Sequence, residues 1–201
     1  ERAVRVRAEG KGQNPTGFLD EQGRTCRANI DALFSQIDEA QLEVAAKAML
    51  SARRVNLIGS LGSYVMLDYL AYMAGWFTDN WFVAGKNGVS LANVMANTQK
   101  DDVVLVLSLA PFAKRSIAAA RIAMERQARV IVITDSHTFP GLEYADNHFL
   151  VRTDSSNFFS SYAAVTVLLE TMVSMMVSLS GEKADLCISR VEQENQRLEE
   201  I

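Results

Sequence analysis

The sequence predicts an α/β domain: a three-layer sandwich with a five-stranded parallel sheet covered by helices on both faces, flavodoxin-like in layout. Three observations carry this. Short apolar runs such as Val103-Val104-Leu105-Val106-Leu107 and Val130-Ile131-Val132-Ile133 lack polar alternation, so they are strands buried on both faces. Segments of helical period separate them. Strand and helix alternate throughout, which demands right-handed crossovers and a parallel sheet.

The first 24 residues are polar and carry Gly10, Gly12, Gly17, Gly23 and Pro15, so they read as a loop or linker ahead of a domain spanning residues 25–201. A helix is expected from Thr25, with Ile30, Leu33, Phe34 and Ile37 on one face. Asp38 then has the character of an N-cap, with Gln41 three residues on as in a capping box, ahead of a helix showing Leu42, Ala45, Ala46, Met49 and Leu50. The expected strands are residues 55–59, 81–83, 103–107, 130–134 and 148–151. The expected helices between them are residues 64–76, 89–97 and 116–127, with a short turn at 142–144. A long helix over residues 156–179 and a charged one over 183–200 close the chain.

The chain has 201 residues, 49% of them hydrophobic, and a formal net charge of -4. That suffices for one sizeable core and excludes a disordered tail. It does not mark these residues as a nucleic-acid surface. Cys26 and Cys187 are expected to be reduced thiols of a reducing compartment, and no secretory leader is visible, so a cytoplasmic location is expected. Residues 158–179 are apolar enough to resemble a membrane span. Glu170 in their middle favours a buried or interface helix instead, with Met172, Met175 and Met176 as packing residues. No membrane partner, metal or cofactor is expected.

In an open parallel sheet the ligand lies beyond the carboxyl ends of the strands, so three loops should share one crevice. The first, Gly59-Ser60-Leu61-Gly62-Ser63, reads either as an anion cradle at a helix N-terminus or as an ordinary turn with an N-cap serine. It lacks the dinucleotide spacing. The second ends a strand at Ser108 and places Lys114 and Arg115 around the first turn of the next helix, where cations oppose the helix dipole unless an anion offsets them. From Ser108 to Arg129 there are five Lys and Arg against one Glu, either an anion site or a solvated helix face. The third runs from Thr134 and Ser136 to His137, Pro140 and Gly141. The candidate ligand-binding residues are therefore Gly59, Ser60, Ser63, Ser108, Lys114, Arg115, Thr134 and Ser136. His148 and the tryptophans Trp76 and Trp81 read as structural.

At these loops the chain resembles the sugar isomerase (SIS) domain, in the form carried by the RpiR family of transcriptional regulators, over residues 42–179. Gly59 and Ser63 match the family's G-x-G-x-S, with Leu61 in place of the second glycine. Asp101-Asp102-Val103 through Leu107-Ser108 is similar to its acidic–apolar–serine strand. Ile131-Val132-Ile133-Thr134-Asp135-Ser136, followed by Pro140, Leu142, Ala145 and Asp146, matches most specifically. The chain departs from the family's S-x-S-G-x-T phosphate loop, where Ala110, Pro111 and Ala113 replace Ser, Gly and Thr. The resemblance implies a homodimeric or homotetrameric sensor of a sugar phosphate or related small anion. In that family a helix-turn-helix domain precedes the SIS domain and makes the contact with DNA. The alternative is a free-standing aldose–ketose isomerase, for which His137, Glu143 and Glu170 are the available acid–base groups.

Overall fold

The computed structural model describes residues 17–86, 88–156 and 158–200. Helices α1 (Phe18–Gln36) and α2 (Glu39–Ser51) lead into β1 (Arg54–Gly59), α3 (Gly62–Ala74), β2 (Trp81–Val83) and α4 (Leu91–Asn97). Then come β3 (Asp102–Ser108), α5 (Lys114–Glu125), β4 (Arg129–Thr134), a 3-10 turn (Pro140–Tyr144), β5 (Asn147–Leu150), α6 (Ala163–Ser180) and α7 (Glu182–Arg197). The sheet is five-stranded in the order β2-β1-β3-β4-β5. Every pairing is parallel, as the apolar runs require. The order reverses between β1 and β3, and a crevice opens at such a point.

Alternate strand residues feed opposite faces. Val55, Leu57, Val103, Leu105, Ile131 and Ile133 pack beneath α2, α3 and α6. Ile58, Val104, Val106, Val130 and Val132 meet Ala119, Ala120 and Ala123 of α5 on the other face. Small alanines let α5 approach the β-branched strands closely, the same density that makes interior voids costly.

Buried charge appears at the start of β3. The Asp102 carboxylate is fully buried, accepts from Arg53 Nη2 at 2.7 Å and from the Gln99 backbone N–H at 2.9 Å, and so ties the α4–β3 turn to the entry of β1.

Two expectations are corrected. Residues 18–24, read as linker, are helical: α1 starts at Phe18, with Asp20 and Glu21 in its first turn, where the helix dipole favours acids. Gly23 sits inside the helix with open space around it, so it punctuates nothing. The rest of the proposed linker, residues 1–16, lies outside the described residues. The long C-terminal helix begins at Ala163 and not at residue 156. Ahead of it the segment is tied elsewhere: Ser156 Oγ donates to Gln22 Oε1 at 3.1 Å, and the Ser161 backbone N–H donates to the Thr153 carbonyl at 3.1 Å. Asp38 does cap α2, accepting from the Ala40 N–H at 2.9 Å.

Among the described residues α6 is the one helix whose length and composition would let it cross a membrane, with mean hydropathy 1.7. Here it packs against α1, α2, α3 and α7, burying Ala164, Val165, Leu168, Leu169, Met172 and Met176. Glu170 is on its exposed side, not buried, and accepts from the Tyr69 hydroxyl of α3 at 2.8 Å. Cys26 and Cys187 are free thiols.

Candidate functional site

A cavity of about 550 Å³ opens at the carboxyl ends of β1 and β3. Its wall is built from Ser60, Leu61, Gly62 and Ser63, from residues 107–111 with Ala113, and from Phe158, Phe159, Ser160 and Tyr162. The N-termini of α3 and α5 both reach this wall, through Gly62 and Ala113. Two helix ends and four serines, Ser60, Ser63, Ser108 and Ser160, therefore border one space, and the helix ends favour negative charge there. The Ser60 hydroxyl is buried with no partner, and directly in register with Ser108 the wholly buried Thr134 likewise has an unpartnered hydroxyl. On α5 the buried Ser116 hydroxyl, which faces the sheet, is a third.

The sequence-derived candidates separate clearly. Ser60, Ser63 and Ser108 come together on the wall. Gly59 and Thr134 lie one layer below it. A Cβ on Gly59 would come within 2.9 Å of Leu67 Cδ1 and 3.0 Å of the Ser63 carbonyl carbon, so glycine there allows α3 to sit close on β1. Lys114 and Arg115 occupy the first turn of α5, exposed and outside the wall, and neither enters an ion pair among the described residues. Ser136 is used locally, bonding Thr138 Oγ1 at 2.8 Å and accepting from the Thr138 N–H at 3.1 Å. His137 and His148 flank a separate hollow with Asp38 and Gln41. Glu143 and Glu170 are exposed away from the cavity. No group of three or more metal-ligating side chains is present among the described residues.

The segment after β5 contributes what sequence reasoning missed. Phe158 and Phe159, in edge-to-face contact with centroids 5.0 Å apart, form an exposed aromatic rim. Tyr162 closes the wall against Gly62: its hydroxyl and ring occupy the place of the missing side chain. Burial raises the Tyr162 pKa, the nearby Asp135 charge raises it further, and a hydrogen bond with Ser63 works the other way. The phenol thus stays protonated at neutral pH and keeps a proton to donate. Asp135 itself accepts from the Ala110 N–H at 3.0 Å and from Thr153 Oγ1 at 2.9 Å, fixing the loop that carries Ala110 and Pro111.

Leu61, where a glycine was expected, adopts φ 55° and ψ −129° with its side chain 78% exposed. That left-handed backbone costs a non-glycine residue about 1–3 kcal/mol. Leu61→Gly should therefore raise the melting temperature by a few degrees, roughly 1 kcal/mol net of glycine's extra unfolded-state entropy, in a thermal melt. An unchanged or lower melting point would show that the Leu61 side chain offsets the strain by contacts of its own.

An open, all-parallel five-stranded sheet flanked by helices, with a cavity at its carboxyl edge, defines an α/β domain of the doubly wound class. The chain belongs to the SIS-domain family, whose model matches residues 48–181. No curated protein matches the sequence. Among solved structures, the sugar isomerase domain of an RpiR transcription factor from Sphaerobacter thermophilus is similar, with TM-score 0.83 and 18% identity over 89% of this chain and 99% of that one. The NanR protein of Vibrio vulnificus, complexed with ManNAc-6P, gives TM-score 0.78 and 16% identity over 98% of this chain and 74% of that one. A phosphoheptose isomerase from Francisella tularensis gives 0.65 and 14% over 83% and 100%. At these identities the likeness shows the shared fold, which regulators and isomerases both use.

Proposed function

We propose that this domain binds a sugar phosphate or a closely related small anion and acts as the sensing and oligomerisation half of a cytoplasmic transcriptional regulator. DNA binding would belong to a helix-turn-helix domain carried ahead of these residues. The observation that carries the reading is the wall of the cavity. Hydroxyls and two helix N-termini suit a phosphate or carboxylate, while its one ionisable side chain among the described residues is Tyr162. Isomerising an aldose to a ketose needs a base of suitable pKa within reach of the substrate's carbon-bound proton, and a carboxylate or imidazole is the usual group. His137, Glu143 and Glu170 all stand elsewhere. The ligand of the NanR protein is a hexosamine phosphate of a size that a cavity of this kind takes. Exposed Val65, Tyr69 and Tyr72 along α3 supply apolar surface for a homo-oligomer contact.

Lys114 and Arg115 stand outside the wall, so they would act through their field and not by direct contact. Calorimetric titration with ManNAc-6P, glucose 6-phosphate and 6-phosphogluconate tests the reading. The double variant Lys114→Glu/Arg115→Glu should bind about tenfold more weakly at low salt, with the gap narrowing as salt rises. Equal affinity at low salt would make these residues a solvated face only. The isomerase alternative shares this fold and would require an acid–base group brought by a second subunit.

A further inference from the structure

We infer that helix α1 is held in place from the cavity wall, by a hydrogen-bond relay through Asp135, Thr153 and Asn29. Helix α1 is long but shallowly docked: of its 19 residues only Asn29 and Leu33 are buried. A helix with so little buried apolar surface sits at the low-stability end of a domain and is suited to undock without unfolding the rest. Its specific latch is Asn29, 1% exposed, whose Nδ2 donates to the Asp154 carbonyl at 2.8 Å. The Asn29 Oδ1 is buried without a partner, which lowers the net gain of docking.

The adjacent Thr153, 8% exposed, points its hydroxyl the other way, to Asp135 Oδ2 at 2.9 Å. The Asp135 carboxylate receives the Ala110 N–H at 3.0 and 3.3 Å, and Ala110 is part of the cavity wall. A second thread runs beside the first. The Thr153 carbonyl accepts from the Ser161 N–H at 3.1 Å, and Ser161 Oγ meets Cys26 Sγ of α1 at 3.4 Å. Asp135, which holds Ala110, thus also holds Thr153, the residue next to Asp154, whose carbonyl is the acceptor for Asn29. A group bound against Ala110 favours the backbone position in which α1 is latched, and docking of α1 favours that wall in return, since coupling between two sites is reciprocal. The significance of the relay as a signalling route rests on the sensor reading above. The relay itself does not.

The test uses the ligand-free chain, with amide hydrogen exchange followed by mass spectrometry and α1 compared against β3 in the same molecule. Thr153→Val removes the hydroxyl and keeps the shape; Asp135→Asn removes the charge. Neither side chain hydrogen-bonds to α1. The relay predicts that α1 amides exchange about five- to tenfold faster in Thr153→Val relative to those of β3, and that Asn29→Ala reaches a similar rate. Wild-type exchange of α1 in both Thr153→Val and Asp135→Asn, alongside fast exchange in Asn29→Ala, would overturn it: α1 would then be held by its own contacts alone. Because no sugar phosphate is present, that result leaves the binding proposal standing, and failure to bind sugar phosphates leaves the relay standing.

Discussion

Gly62→Ala is expected to lose sugar-phosphate binding by about 100-fold, close to 2.7 kcal/mol, in the same calorimetric titration that measures the wild type. A Cβ at this position would run into the Tyr162 hydroxyl and come within 2.8 Å of its ring Cζ. The helix backbone at the start of α3 is fixed by the Ser63 N–H to Ser60 carbonyl bond at 3.2 Å and by its packing on β1, so the tyrosine must swing. Tyr162 lines the cavity, so any displacement of its ring reshapes that wall. Alanine is the better helix former, so propensity would if anything stabilise the fold and the loss would report on the cavity. Tyr162→Phe in the same background removes the closest clashing atom and should restore part of the affinity. Full affinity in Gly62→Ala would place the ligand elsewhere.

Asp102→Ala should cost about 2–4 kcal/mol, read as a fall in the urea midpoint at constant slope. The carboxylate is 0% exposed at its side chain while Arg53 is 40% exposed, so on truncation the arginine can turn to water. The Gln99 N–H cannot do so as readily and loses its acceptor at the turn that starts the central strand β3. The unpartnered Asp102 Oδ1 already reduces the pair's net worth, which sets the upper end of the range. A cost below about 0.5 kcal/mol would mean that the pair contributes specificity of the turn and not stability.

Much of the fold was legible because it is written in period. Runs such as Val103 to Leu107 have no polar face, and only a strand covered on both sides accepts them. The loops at Ser60, Ser63 and Ser108 followed from topology, since parallel strands deliver their carboxyl ends to one edge. Failure came where local chemistry overrode apolar content. Phe158 and Phe159 resemble core residues of a long helix, yet Ser156 bonds Gln22 and the Ser161 hydroxyl accepts from the Ala163 N–H where the helix starts, and the rings are left at the rim. The four serines around the pair, at 155, 156, 160 and 161, were the available signal. Tyr162 was invisible for another reason: its place is defined by the absence of a side chain at Gly62, a relation between distant positions that no period encodes. Lys114 and Arg115 show the reverse error of emphasis, a charge pattern correctly noticed and set outside the wall by the turn of α5.

A sensor's cavity binds a phosphorylated sugar without converting it. The direct measurement is a titration of the chain with ManNAc-6P and hexose 6-phosphates, followed by proton NMR in heavy water. Saturable binding of at least one of them is expected, with its spectrum unchanged and no deuterium entering the carbon next to the carbonyl after hours at saturation. Deuterium incorporation or a new isomer would contradict it and make the domain an isomerase; no binding across the set would remove phosphosugars from the cavity altogether.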